Sequence, residues 1–230
     1  MTTIRCKGLC KYFQQGDAVI KALDHLDLNI ENGEFICISG PSGSGKTTLL
    51  NAIGGLDRLD SGEISIDGRR IDLLGKTALA DLRLHSIGFV FQAYNLIPVL
   101  TARENVEFVM QVQGLPAGTR RSRSQAILNE VGLQGLEDRR PAQLSGGQQQ
   151  RVAVARAIVS KPSLVLADEP TANLDSHSAQ RLMELFRELN RNHQVTFLIS
   201  THDERVMRYA HRLIKMQDGR IIADDVQATT

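Results

Sequence analysis

Tryptophan is absent from this 230-residue chain, and cysteine, at three residues, nearly so. Cys6, Cys10 and Cys37 form an odd set. On a strand rising roughly 3.3 Å per residue, Cys6 and Cys10 would stand about 13 Å apart, too far for a disulfide. No His or Cys cluster completes their C-x3-C spacing, so a metal framework is not expected. Buried or edge-strand thiols in a reducing compartment are. An excess of one charge is also missing: 27 basic residues face 26 acidic ones, a net of +1. That balance gives no general attraction to nucleic acid, and no nucleic-acid partner is expected. No apolar run approaches the roughly 18–20 residues that span a bilayer as a helix. The opening residues, Met1-Thr2-Thr3-Ile4-Arg5-Cys6-Lys7-Gly8, lack the apolar core of a secretory signal. The expectation is a cytoplasmic chain that needs another polypeptide to act at a membrane. Repeats and low-complexity tracts are lacking too. The remainder, 42% hydrophobic and 23% charged, reads as one substantial globular domain with a small lobe attached.

Two kinds of strand pattern are present. Leu26-Asp27-Leu28-Asn29-Ile30 and Glu63-Ile64-Ser65-Ile66-Asp67 alternate apolar and polar residues, as half-buried strands do. The second runs into Asp67-Gly68, a hairpin turn signal, so a mostly antiparallel first sheet is expected. Phe35-Ile36-Cys37-Ile38, Leu164-Val165-Leu166-Ala167 and Val195-Thr196-Phe197-Leu198-Ile199 are instead continuous apolar runs. Such runs suit strands covered on both faces in a parallel sheet. Leu182, Leu185, Phe186 and Leu189 recur at helical spacing between the last two, giving strand, helix, strand. The region 101–140 shows no strand pattern. Thr101-Ala102-Arg103-Glu104 is a capping box that opens an amphipathic helix. Gly118-Thr119-Arg120-Arg121-Ser122-Arg123 reads as a basic connector with a solvated face, followed by a second helix around residues 126–131. The expected organisation is one domain over 1–230. Its α/β core, with the antiparallel part, takes about 1–92 and 161–230, and a helical subdomain takes about 100–160.

Gly40-Pro41-Ser42-Gly43-Ser44-Gly45-Lys46-Thr47 fits G-x-x-x-x-G-K-[ST] at every fixed position. It follows an apolar strand and precedes the helix-like Thr48-Leu49-Leu50-Asn51-Ala52-Ile53, the context this phosphate loop requires. Its glycines let consecutive N–H groups and a helix N-terminus turn toward phosphate oxygens. Lys46 would reach the β- and γ-phosphates of ATP, and the Thr47 hydroxyl would ligate Mg²⁺. Residues 164–167 end in Asp168-Glu169. A carboxylate at such a strand tip can hold Mg²⁺, and the next one can polarise an attacking water. Leu144-Ser145-Gly146-Gly147-Gln148 opens another helix, expected from Gln149, with small residues that again offer N–H groups to an anion. Since the phosphate loop already cradles one triphosphate, this second device has a use if it serves a nucleotide on a partner subunit.

Residues 40–47, 144–148 and 166–170, in this order, closely resemble the ABC ATPases, and the resemblance runs over essentially the whole chain. It implies an α/β P-loop NTPase core with a parallel sheet, an N-terminal antiparallel β subdomain and an inserted helical subdomain. It further implies a head-to-tail dimer with ATP at its interface. The chain would then be a peripheral ATPase subunit on the cytoplasmic face of the inner membrane, driving a separate integral membrane permease. Gln92, after Ile87-Gly88-Phe89-Val90-Phe91, matches the family's Q-loop glutamine, which contacts Mg²⁺ and water. His202 matches the switch histidine at the γ-phosphate. Asn173-Leu174-Asp175 matches the D-loop that crosses the dimer interface. The adenine-stacking aromatic matches Phe13, with Tyr12 beside it as the alternative. The resemblance thus implies catalytic roles for Glu169, His202 and Gln92, and Mg²⁺ ligation by Thr47, Gln92 and Asp168. The ATP contacts it implies are Phe13, Gly40, Ser42, Gly43, Ser44, Gly45, Lys46, Thr47, Thr48, Ser145, Gly147, Gln148 and Asp175. Residues 88–96 and 167–175 look like the lipoprotein-release and macrolide-export group, which usually has Gly where this chain has Ala172. A ribosome- or DNA-directed ATPase of the same type is disfavoured, because one copy of the domain and no heptad run are present. The substrate does not follow.

Overall fold

The computed structural model describes residues 4–227. β1 (Ile4–Gln15) and β2 (Ala18–Ile30) pair as an antiparallel hairpin, and the alternation of residues 26–30 appears as buried Leu26, Leu28 and Ile30. β3 (Phe35–Ser39) leaves for a second sheet and is followed by α1 (Lys46–Ile53). β4 (Ser61–Ile66) returns to the free side of β1, and β5 (Arg69–Arg70) closes a four-stranded antiparallel sheet in the order β2-β1-β4-β5. Between β4 and β5, Asp67 and Gly68 both take positive φ, 52° and 76°, as a two-residue hairpin turn demands.

α2 (Lys76–Ser86) leads into β6 (Ile87–Phe91), and then three helices follow without a strand: α3 (Ala102–Val112), α4 (Ala117–Glu130) and α5 (Gly146–Ile158). β7 (Leu164–Asp168), α6 (Ser176–His193), β8 (Thr196–Thr201), the one-turn α7 (Glu204–Met207), β9 (Arg212–Gln217) and β10 (Arg220–Val226) complete the chain. The second sheet runs β10-β9-β3-β8-β7-β6, parallel throughout except for the antiparallel edge strand β10. Its strands are covered on both faces with period two. Ile36, Ile38, Leu164, Leu166 and Leu198 pack toward α1 and the antiparallel sheet. Phe35, Cys37, Val165, Ala167, Phe197 and Ile199 pack toward α5 and α6. Continuous apolar runs are what that double coverage requires. Leu182, Leu185, Phe186 and Leu189 of α6 are buried in the second of these cores, and all three cysteines are free and buried. Among the described residues, no helix is long and apolar enough to cross a membrane.

One expectation about the helical region 101–140 fails. The basic segment 118–123 is no connector, because α4 begins at Ala117 and includes it. Arginine is a good helix former, and a helix packed by one face on α3 and α5 needs only a narrow buried stripe, here Ser124, Ile127 and Leu128. Weak amphipathicity over that turn hid a helix that propensity supports. The capping box of α3 is present in both directions, Thr101 Oγ1 accepting from Glu104 N and Glu104 Oε2 accepting from Thr101 N.

Candidate nucleotide site

The site lies where an open parallel sheet places it, outside the carboxyl ends of its strands. Residues 40–45 carry β3 into α1. Gly45 is the N-cap of α1 with φ 101°, and a Cβ there would sit 2.1 Å from the Ala22 carbonyl oxygen. A Cβ on Gly40 would lie 2.2 Å from the Met216 carbonyl oxygen. The loop is thus wedged between β2 and β9, and only glycine fits either position. No side chain caps α1 and its first turn holds no acid, so its N-terminal N–H groups are left to a ligand.

Lys46 is 7% exposed, and its ammonium donates to the carbonyls of Gly40 (2.8 Å) and Pro41 (3.0 Å), arching back over the loop. Thr47 Oγ1 donates to the Asp168 carboxylate, at 3.1 Å from Oδ1 and 3.0 Å from Oδ2. Asp168 closes β7, and next to it Glu169 turns into the left-handed region with φ 46°. For a residue with a side chain that conformation costs on the order of 1–3 kcal/mol and persists only where neighbours impose it. The Glu169 N–H is held by the Ser200 carbonyl at 3.1 Å, and Glu169 Oε1 lies 2.9 Å from His202 Nδ1. With Glu169 ionised, that hydrogen bond needs a proton on Nδ1, which fixes the tautomer of a neutral ring and leaves Nε2 as the acceptor nitrogen.

These residues line one cleft of about 740 Å³, together with Phe13, Ser42, Gly43, Gly45, Thr48 and Gln92. That is the size of a small-ligand site. Phe13 lies on its wall, and Tyr12 does not. Gln92 follows β6, and its carbonyl accepts from Asn173 Nδ2 at 3.0 Å, joining the two loops beyond β6 and β7. Gly40 and Ser44 sit behind the wall, Ser44 buried with no partner for its hydroxyl. Thr47 and Asp168 together offer the hard oxygen donors that suit Mg²⁺. Among the described residues there is no group of three or more His, Cys, Asp and Glu that could hold a metal ion.

Ser145, Gly147, Gln148 and Asp175 do not reach this cleft. Ser145 caps α5 in a reciprocal box, its N–H donating to Gln148 Oε1 (2.8 Å) and its Oγ accepting from Gln148 N (3.3 Å). The helix therefore begins at Gly146, three residues before the Gln149 expected. Ser145, Gly147 and Gln148 line a separate recess of about 230 Å³ with Arg151, Ser178 and Arg181. Asp175 caps α6, accepting from the backbone of His177 and Ser178 (3.0 Å each) and from Ser178 Oγ (2.6 Å). The Ser178 bonds hold its carboxyl below the usual range. Ser200, Arg151 and Arg181 were not singled out by the sequence. No local pattern marks them, since each gains its neighbours only through sheet register or helix packing.

Fold and cleft define a P-loop nucleotide-binding domain. A family model described as ABC transporter matches residues 23–172, and the chain belongs to that family, as one of its ATP-binding cassettes. It is 46% identical over 223 residues to the lipoprotein-releasing system ATP-binding protein LolD of Anaeromyxobacter dehalogenans, covering 96% of this chain and 93% of that one. It is 46% identical over 221 residues to the macrolide export ATP-binding/permease protein MacB 1/2 of Paracoccus denitrificans, covering 96% of this chain. The chain spans only 33% of that relative's length. Among solved structures, the ATP-binding cassette MJ0796, in a dimeric post-hydrolysis state bound to ADP and Pi, superposes with a TM-score of 0.91. It is 41% identical and covers 99% of this chain and 100% of that one.

Proposed function

We propose that the chain hydrolyses ATP in the presence of Mg²⁺, as one half of a head-to-tail dimer that drives a separate membrane permease. One observation carries this reading: Lys46, Thr47, Asp168, Glu169 and His202, drawn from α1 and from the ends of β7 and β8 and the residues just past them, converge on a single cleft. Phe13 stacks on the adenine. The N–H groups of residues 42–48 and the Lys46 ammonium hold the β- and γ-phosphates. Thr47, Asp168 and Gln92 hold Mg²⁺, which when bound neutralises phosphate charge. Glu169 orients the attacking water and takes its proton. His202 fixes the Glu169 carboxylate through Nδ1 and offers Nε2 to the γ-phosphate. Ser145, Gly147, Gln148 and Asp175 serve the nucleotide on the partner copy.

The chain works at the cytoplasmic face of the inner membrane, since the permease supplies the span. Export, lipoprotein release and force transmission are all compatible with this motor, and the cleft does not discriminate among them. Glu169→Gln keeps shape and removes the base. Its expected outcome is retained ATP binding, hydrolysis lower by on the order of 10²-fold or more, and an ATP-trapped dimer on size-exclusion chromatography. Hydrolysis at the wild-type rate would remove Glu169 from the mechanism.

A further inference from the structure

Asp168 and Glu169 are chain neighbours, and neighbouring strand residues point to opposite faces. Both nevertheless bear on one cleft, because Glu169 leaves β7 in the left-handed region. The group opposite this break is Ser200, paired with Asp168 in the parallel register of β7 and β8 and fully buried. Its hydroxyl donates to Asp168 Oδ1 and accepts the Glu169 N–H at 3.2 Å. One small group therefore orients the first carboxylate and anchors the backbone of the second. Two residues on, just past the end of β8, His202 takes the Glu169 carboxylate. Ser200 does not itself line the cleft, and the hydrogen bonds of its hydroxyl go to the two acids that do, so it acts through them.

We propose that Ser200 is the positioning residue of the hydrolytic pair, setting Asp168 and Glu169 for their separate tasks. The proposal rests on the ATPase reading above. Removing the hydroxyl takes one donor from the Asp168 carboxylate and leaves it the Thr47 hydroxyl, a looser hold, while Glu169 N–H keeps its bond to the Ser200 carbonyl at 3.1 Å. The strands stay paired and the geometry of the acids loosens. Threonine keeps the hydroxyl and suits a strand; valine fills the same space without it.

The experiment uses the full chain as wild type, Glu169→Gln, Ser200→Ala, Ser200→Val and Ser200→Thr. Steady-state ATPase kinetics are measured, and a fluorescent ATP analogue is titrated with and without Mg²⁺. Ser200→Ala and Ser200→Val should lose about 10-fold or more in kcat, as for a hydrogen bond to a charged group, with KM within about threefold. Ser200→Thr should stay within about threefold of wild type. The gain in analogue affinity on adding Mg²⁺ should shrink in Ser200→Ala and persist in Ser200→Thr. Wild-type kcat in Ser200→Ala or Ser200→Val would overturn the proposal. So would a Ser200→Thr variant as slow as Ser200→Ala with an intact circular dichroism spectrum. Wild-type turnover insensitive to Glu169→Gln would count against the ATPase reading itself; a dead Glu169→Gln beside a fully active Ser200→Ala would retire only the role of Ser200.

Discussion

Lys46 shows how one side chain serves both architecture and chemistry. Its aliphatic stem is buried and its ammonium spans two carbonyls of the loop that precedes it, so the loop is arched around a positive charge. In the function proposed above, an incoming triphosphate would meet that charge together with the uncapped end of α1. Replacing Lys46 by Ala should weaken ATP affinity by about 10-fold or more, the scale of a charge-assisted hydrogen bond, and reduce turnover with it. Titration with a fluorescent ATP analogue checks this, and unchanged affinity together with unchanged turnover would place the phosphates elsewhere. Lys46 was legible in the sequence because glycine, lysine and threonine stand at fixed local spacing, and local spacing survives folding. Ser200 was not. Its partners lie 31 and 32 positions away, and only the register of β7 against β8 brings them together.

Elements obey the same distinction between local and distant causes. The strands that proved easiest to read are those whose burial has period two or no period at all, since one or two covered faces write directly into the side chains. α4 was half lost because its basic first turns carry no apolar stripe. The join between the two sheets was invisible in the sequence. Arg220, at the start of β10, donates through Nε (3.0 Å) and Nη2 (2.7 Å) to Asp24 Oδ2 on β2, while Asp24 N donates to Gly219 O at 3.0 Å. The guanidinium, aided by His25, holds the Asp24 carboxyl down to about 2 from an ordinary 3.8. A depressed carboxyl stabilises the fold at every pH above its unfolded value, and that contribution is lost as pH falls through the folded value. Arg220→Ala should therefore be less stable than wild type at pH 7, with a gap that persists down to about 4 and narrows as pH falls toward 2. Urea unfolding at pH 7, 4 and 3 measures it. A gap that is constant across this range would mean that Arg220 acts through packing and not through the Asp24 charge.

At the scale of the molecule, the puzzle is two anion-directed devices in one chain that do not meet. Lys46 and the N-terminus of α1 face the cleft, whereas Ser145 and the N-terminus of α5 face a recess with Arg151 and Arg181 on its wall. A single nucleotide can use both only if they come from opposite sides, and a two-fold pair of chains provides that twice, each Ser145 facing the other chain's Lys46. In the dimer proposed above, ATP would be shared across the interface, with Lys46 on one side of its charge and the N–H groups of the partner's α5 on the other. Loss of the γ-phosphate removes the shared contact, so the dimer should loosen after hydrolysis, a shift of population driven by the ligand. The test mixes Ser145→Arg chains with Lys46→Ala chains. Each homodimer carries two damaged sites and should be inactive. In the mixed dimer one site combines both defects and the other has neither, so part of the activity should return, up to about half per dimer if the sites fire independently. Verified heterodimers without recovery would mean that the two sites must fire together. Full activity of the Ser145→Arg homodimer would sink the shared site altogether, because the arginine would then occupy a surface on which no nucleotide depends.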